Sequence, residues 1–148
     1  CNLNNILIHI VCGAGYSKYE DLLQQVNNNP KVSVTRATGV ISTIMEQSQL
    51  AIVSNGRTVY ELAHLNIPSI VISQHPREQS HSFASLDNGF VELGVYQKGY
   101  TEDLIKKSIK NLFFNNDYRK KLFSEMKNYS FQNNKKNVLK MILLSLDS

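Results

Sequence analysis

Ala51-Ile52-Val53-Ser54-Asn55-Gly56-Arg57-Thr58-Val59-Tyr60-Glu61-Leu62, continuing to Ile67-Pro68-Ser69-Ile70-Val71-Ile72-Ser73, carries a complete strand, helix, strand signal. Leu50 to Val53 is a short apolar run of strand character, and Ser54-Asn55-Gly56 turns the chain. From Thr58 to about Leu65 the apolar residues recur at helical spacing. Asn66 then takes the left-handed conformation that ends a helix, and Pro68 blocks its continuation. Ser69 to Ser73 is the next strand, whose run Ile70-Val71-Ile72 reads as buried on both faces. A strand followed by a helix and a second doubly buried strand is the repeating unit of a parallel sheet.

The same alternation extends both ways. Upstream, Ile6 to Val11 reads as a buried strand ending in Gly13-Ala14-Gly15, and Ser17 can cap a helix running to about Asn27. Tyr19, Leu22, Leu23 and Val26 form its apolar side, and Asn28-Asn29-Pro30 closes it. Val32 to Thr35 is a second strand and Val40 to Gln47 a short helix. Downstream, the polar stretch Gln74 to Asn88 reads as loop then helix, and Phe90 to Val95 as a last strand. Helices follow from Thr101, with Leu104, Ile105, Ile109 and Leu112 on one side, and from about Asp117 and Asn133. The expected fold is α/β, a Rossmann-like parallel sheet flanked by helices, with extra helices at the C-terminus. With no repeat and no long linker, residues 1–148 are read as one domain.

Composition sets the class. The chain has 148 residues, 42% hydrophobic and 19% charged, enough to bury a core without disulfides or structural metal. Its two cysteines, Cys1 and Cys12, make no disulfide framework, so a reducing cytoplasm is the expected compartment. No apolar run approaches the roughly 20 residues that span a bilayer. The first residue is Cys1 and a strand follows almost at once, so the chain is expected to be a piece of something longer, without a signal peptide.

The net charge of +4 is unevenly placed. Residues 1–97 carry five basic and seven acidic side chains; from Lys98 onward there are eleven basic and five acidic ones. These downstream lysines read as a solvated helical face or as a weak membrane-surface or nucleic-acid patch. Lysines without interleaved aromatics or arginines argue against base recognition, so no nucleic-acid partner is expected.

Three turns could carry chemistry. Gly13-x-Gly15 is half of a dinucleotide fingerprint, but Lys18 stands at the third glycine and no acidic residue ends the second strand, so an NAD site is not expected. The two glycines make either an ordinary tight turn or a place where a ligand comes close to backbone. Ser54 to Thr58 opens a helix, where amides and dipole favour an anion, and Arg57 adds a fork of donors matched to phosphate. Alternatively, Thr58-Val59-Tyr60-Glu61 is a capping box; the two readings are compatible. Gln74-His75-Pro76-Arg77-Glu78-Gln79 follows the strand Ser69 to Ser73, again at a carboxyl end, where open α/β sheets bind ligands. The turns after strands one, three and four are thus expected along one edge. His75, Glu78 and His81 do not clearly make a metal site, and no metal or cofactor is expected.

At these residues the sequence resembles a family. Ala51 to Leu62, Ile67-Pro68-Ser69-Ile70, and Gln74-His75 with Gln79 are similar to the C-terminal half of GT-B enzymes. Among them are the N-acetylglucosaminyltransferase that makes lipid II and, closer still, the UDP-sugar hydrolases of pseudaminic-acid synthesis and related spore-coat polysaccharide proteins. The resemblance covers roughly residues 6–94. It implies one half of a GT-B fold, which binds a nucleotide sugar, with uridine diphosphate the usual carrier. It implies that Gly56, Arg57 and Thr58 lie at the diphosphate, with Asn55 before them also in the expected nucleotide-sugar-binding set, and that Glu61 accepts hydrogen bonds from the ribose hydroxyls. The loop Ala37 to Val40, with Thr38, Gly39 and Val40, would recognise the base, and Gln74, His75 and Gln79 would contact the sugar. Gly13 and Gly15 complete the expected ligand-binding set. Ser80 stands where the transferase has a second glutamine, and Phe83-Ala84 where it has Asn-Ala, so N-acetylglucosamine specificity is not carried over. The resemblance implies a further N-terminal domain of the same chain, which in the hydrolases supplies the catalytic histidine. The expected role is that of the donor-binding half of a glycosyltransferase or UDP-sugar hydrolase in bacterial surface-polysaccharide or nonulosonic-acid synthesis. The alternatives are a non-catalytic module fused to a sugar cytidylyltransferase and a Rossmann-like domain for another nucleotide.

Overall fold

The computed structural model describes residues 6–36, 39 and 41–128. The chain divides into two compact units, Cys1–Gln47 and Ser48–Ser148. Parallel strands alternate with helices throughout, as the α/β pattern requires.

In the first unit, β1 (Ile8–Cys12) and β2 (Val32–Arg36) pair in parallel with Ile8 opposite Val32. Helix α1 (Tyr19–Val26) connects them and α2 (Ile41–Glu46) follows. The expected strand Ile6 to Val11 is shifted by two residues at its start, and it is not buried throughout: Ile8 is 50% exposed and only Cys12 is fully covered. Within this unit β1 has a single strand neighbour, so few of its side chains are enclosed. Ser17 does not cap α1. The helix begins two residues later, Lys18 occupies the cap position without a side-chain bond, and Glu20 and Asp21 place negative charge on the first turn instead. Asn29 closes the helix as expected: its amide donates to Val26 O (2.8 Å), and its side-chain oxygen accepts from Lys31 N (3.1 Å).

In the second unit, β3 (Ala51–Ser54), β4 (Ser69–Ser73) and β5 (Phe90–Val95) form a parallel sheet with β4 in the middle. Its central position explains the apolar run Ile70-Val71-Ile72, because successive side chains enter opposite layers. Val71 packs in a cluster with Val59, Ala63, Phe90 and Met126, and Ile70 in another with Val91, Leu112 and Leu122. Ile72 is only partly buried. Between β3 and β4 lies α3 (Thr58–His64). It ends as the sequence predicts: Asn66 has φ 54°, its amide bonds Ala63 O (3.1 Å), and Ile67 N bonds Leu62 O (3.0 Å). This pair of bonds satisfies the last carbonyls of the helix.

The stretch expected as loop then helix is instead two short 3-10 turns, Pro76–Ser80 and Leu86–Asn88. After β5 come α4 (Tyr100–Phe114) and α5 (Asn116–Lys127), joined at Asn115, whose side chain accepts from Tyr118 N (2.9 Å) and caps α5. Gly89 (φ 82°) lets α5 seat against the sheet: a Cβ there would collide with the carbonyl of Leu122 and the side chain of Met126. The helix expected from about Asn133 lies outside the described residues. Among the described residues, no helix is long and apolar enough to cross a membrane.

Candidate functional site at the carboxyl edge of β3 and β4

Adjacent parallel strands must deliver their outgoing turns to the same edge. The turn after β3 and the turn after β4 meet there, joined through Asn55. This residue follows Ser54, which pairs with Ile72, and it is wholly buried. Its amide nitrogen donates to Glu78 O (3.0 Å) and to His81 O (3.1 Å). In return, His81 Nδ1 donates to Asn55 O (2.8 Å). A carbonyl can only accept, so this bond puts a proton on Nδ1 and leaves Nε2 as the ring nitrogen not engaged by Asn55. Three bonds thus hold the Asn55-Gly56 turn against the segment Glu78 to His81.

The remaining site residues stand around this clasp. Arg57 is exposed, and its guanidinium has no hydrogen bond or ion pair among the described residues. Gly56 is half-buried with its amide on Ser54 O (2.9 Å); a Cβ added to it would meet only Ser54 Oγ, at 3.8 Å. The protein itself therefore does not require glycine here. Val59 N bonds Gly56 O (3.4 Å) and Tyr60 N bonds Arg57 O (3.1 Å), so α3 starts in a tight turn. The amides of Arg57 and Thr58 have no acceptor among the described residues. With seven residues, α3 sums few peptide dipoles, so the guanidinium and the turn's own amides must supply most of any anion affinity.

The capping box is not formed. Thr58 is already helical, Arg57 occupies the cap position with αR angles, and no side chain caps the helix. The reason is local: Gly56 O and Arg57 O already accept from the second and third helical amides, those of Val59 and Tyr60, which are the ones a capping side chain would otherwise serve. Glu61 stays exposed, one turn into α3. On the other turn, Gln74, His75 and Gln79 are exposed, and Gln74 N donates to Glu78 Oε2 (2.8 Å). The Glu78 carboxylate is thereby engaged within its own loop. The Gln79 side-chain nitrogen lies 3.6 Å from where a Cβ on Gly94 would be, so Gln79 approaches β5. Among the described residues, no three His, Cys, Asp or Glu side chains gather at metal-binding distance.

Two polar atoms at this edge are unusual. Asn55 Oδ1 and Ser73 Oγ are buried without a hydrogen-bond partner among the described residues. Asn55 follows the last β3 pair and Ser73 ends β4, so both belong to the same edge. Sequence reasoning did not single out Ser73, because a serine at a strand end carries no motif. In sequence His81 enters only as a metal ligand to be weighed with His75 and Glu78, because its contact with Asn55 spans 26 residues and leaves no local signal. Phe83 stacks on Tyr60 (centroids 4.6 Å apart) and meets Phe90 edge-on (5.7 Å). An aromatic at position 83 thus packs the segment after His81 onto α3.

Gly13 and Gly15 belong to the first unit. Tyr16 N bonds Gly13 O (3.1 Å), so the tight turn is present, but neither glycine has a positive φ and nothing lies within 4 Å of an added Cβ. Gly39 is exposed and equally open. Thr38 and Val40 lie outside the described residues. The expected convergence therefore holds for the turns after β3 and β4, and the turn after β1 is described within its own unit.

Neither the comparison with curated proteins nor that with solved structures gave a match. The comparison with protein families did: residues 2–142 match the glycosyltransferase family 28 C-terminal domain. That span takes in both units and the clasped edge. A parallel α/β chain with two turns joined at its carboxyl edge, matched along nearly its whole length, belongs to the glycosyltransferase family 28 C-terminal domains, the GT-B half that binds the nucleotide-sugar donor in these glycosyltransferases.

Proposed function

We propose that this chain is the donor-binding half of a transferase or UDP-sugar hydrolase acting in the cytoplasm on bacterial surface polysaccharide or nonulosonic acid, and that its donor is UDP-linked. Residues 1–148 would be one nucleotide-sugar-binding domain of a longer protein whose N-terminal domain supplies the catalytic base. The observation that carries the reading is the pair of buried oxygens, Asn55 Oδ1 and Ser73 Oγ, without a partner among the described residues, at an edge held by the Asn55 clasp and followed in the chain by exposed Arg57. Buried polar atoms are costly unless a water or ligand completes them, and a preorganised edge loses little entropy on binding.

In this reading the diphosphate lies at Gly56, Arg57 and Thr58, and Glu61 accepts from the ribose hydroxyls. Thr38, Gly39 and Val40 take the base; Gln74, His75 and Gln79 contact the sugar; Gly13 and Gly15 allow close approach. An acceptor hydroxyl, or water in a hydrolase, bonds to the anomeric carbon and gives its proton to the base of the N-terminal domain, while the bond from that carbon to the diphosphate oxygen breaks and its electron pair leaves with the nucleotide. Arg57 and the Arg57 and Thr58 amides would then face more negative charge than in the ground state, which is the condition for accelerating the step.

Glu61 provides the test, because it caps nothing here and Glu61→Gln should leave the fold intact. Calorimetric titration should show UDP affinity falling by about 1–3 kcal/mol, as charge assistance to the hydroxyl donors is lost. Inorganic pyrophosphate should bind both forms equally. Unchanged UDP affinity would remove Glu61 from the site, and stabilisation by NAD but not UDP would overturn the assignment.

A further inference from the structure

None of the residues assigned to the donor in the proposed reading lies on α4 or α5. Their lysines read in sequence as lacking interleaved aromatics; the structure corrects this, because Phe113, Phe114 and Phe123 are 39%, 54% and 40% exposed. The spacing brings charge and ring together. Lys110 precedes Phe113 and Phe114 by three and four residues, and Lys120 precedes Phe123 by three, so each lysine shares a helix face with a phenylalanine. Lys127 Nζ sits 4.8 Å from the centre of the Phe123 ring. Residues 106–121 hold six basic side chains and one acidic, Asp117.

The corner is tied by Arg119. Arg119 donates to Leu112 O (3.0 Å) and to Asn116 Oδ1 (2.9 Å), tying the first turn of α5 to the last turn of α4. Its guanidinium is thereby engaged, and the exposed lysines supply the charge available to a partner. Phenylalanine has no polar group to hydrogen-bond with water, so exposed rings among cations suit a surface that is anionic outside and apolar just beneath. A nucleic acid would be better served by arginine forks, and the arginine here is engaged within the corner.

We propose that the α4–α5 corner docks on the surface of an anionic lipid bilayer, with Phe113 and Phe114 entering the headgroup boundary and Lys107, Lys110 and Lys120 facing the lipid charge. The contact is peripheral and stands apart from donor binding. The test is co-sedimentation of the chain with vesicles of phosphatidylcholine alone or containing about one-third phosphatidylserine. Binding should require phosphatidylserine and weaken with salt. Lys107→Gln and Lys110→Gln should each weaken it about fivefold, the factor corresponding to about 1 kcal/mol per charge at such a surface. Phe113→Ser with Phe114→Ser should also release the chain while its UDP affinity and thermal unfolding stay unchanged. If the double phenylalanine variant misfolds, the exposed lysine variants decide alone. Equal sedimentation with both vesicle types, or insensitivity to the lysine changes, would overturn the proposal. So would tighter binding to single-stranded RNA than to vesicles, or a dimer in light scattering that Phe114→Ser dissolves.

Discussion

Asn55 shows how one side chain can organise an edge. Its amide nitrogen spans two backbone carbonyls of the neighbouring loop, and its own carbonyl receives His81. Asn55→Ala should cost about 2–4 kcal/mol in urea unfolding, because two acceptors lose their donor and a buried volume is emptied. His81→Ala should cost less, about 1 kcal/mol, since the ring is exposed and makes a single bond. The reverse order would show that the clasp is held from the histidine side. Tyr96 and Glu102 offer a second residue-scale prediction. The Tyr96 hydroxyl donates to Glu102 Oε1 (2.5 Å), and this bond is the main cause that lowers the Glu102 carboxyl below its usual 4.5 and raises the Tyr96 phenol above 10.0. The stabilisation from a lowered acid is present above its unfolded pKa and fades as pH falls through the folded one; that from a raised phenol fades as pH rises past 10.0. Thermal unfolding followed against pH should show both losses, and Tyr96→Phe should flatten the curve at each end.

Among the elements, those with strong local signals needed no tertiary help. Strands β4 and β5 and the end of α3 stand where their sequences put them, because a doubly buried apolar run, Asn66 and Pro68 are each decisive within a few residues. Helix caps were less legible. Ser17 and Thr58 both had cap chemistry, yet α1 begins two residues after Ser17 and α3, though it begins at Thr58 as read, forms no capping box, whereas Asn115 caps α5 at a boundary where the sequence reading had named no cap. The segment Gln74 to Asn88 misread as loop then helix because its 3-10 turns are held by distant partners, notably Asn55. Gly89 tests the packing of α5 against the sheet. Gly89→Ala combines an unfavourable φ with a collision against helix backbone, so a loss of about 3 kcal/mol or more is expected in thermal or urea unfolding. A near-neutral result would mean that α5 can shift away from the sheet at little cost.

For the whole molecule, the prediction concerns what the chain does alone. On the proposed reading it should bind UDP yet release no sugar or phosphate from a UDP-sugar. Among the described residues no carboxylate orients His75 or His81, and a base without such support is a weak one. Assays of free UDP and free sugar on the purified chain check this. Turnover that disappears in His81→Ala would locate a catalyst at the clasp, since Nδ1 on a carbonyl already fixes that ring's tautomer.

The sequence by itself determined the parallel α/β pattern and the family, because strand and turn signals and the Ser54 to Gln79 motif act over short chain distances. Tertiary structure decided that Asn55 and His81 join two turns, that the buried Ser73 hydroxyl has no partner among the described residues, that Gly89 admits α5, and that three phenylalanines emerge among the lysines. Each of these depends on which groups meet, or stay exposed, once segments far apart in the chain have packed, and no local periodicity encodes that.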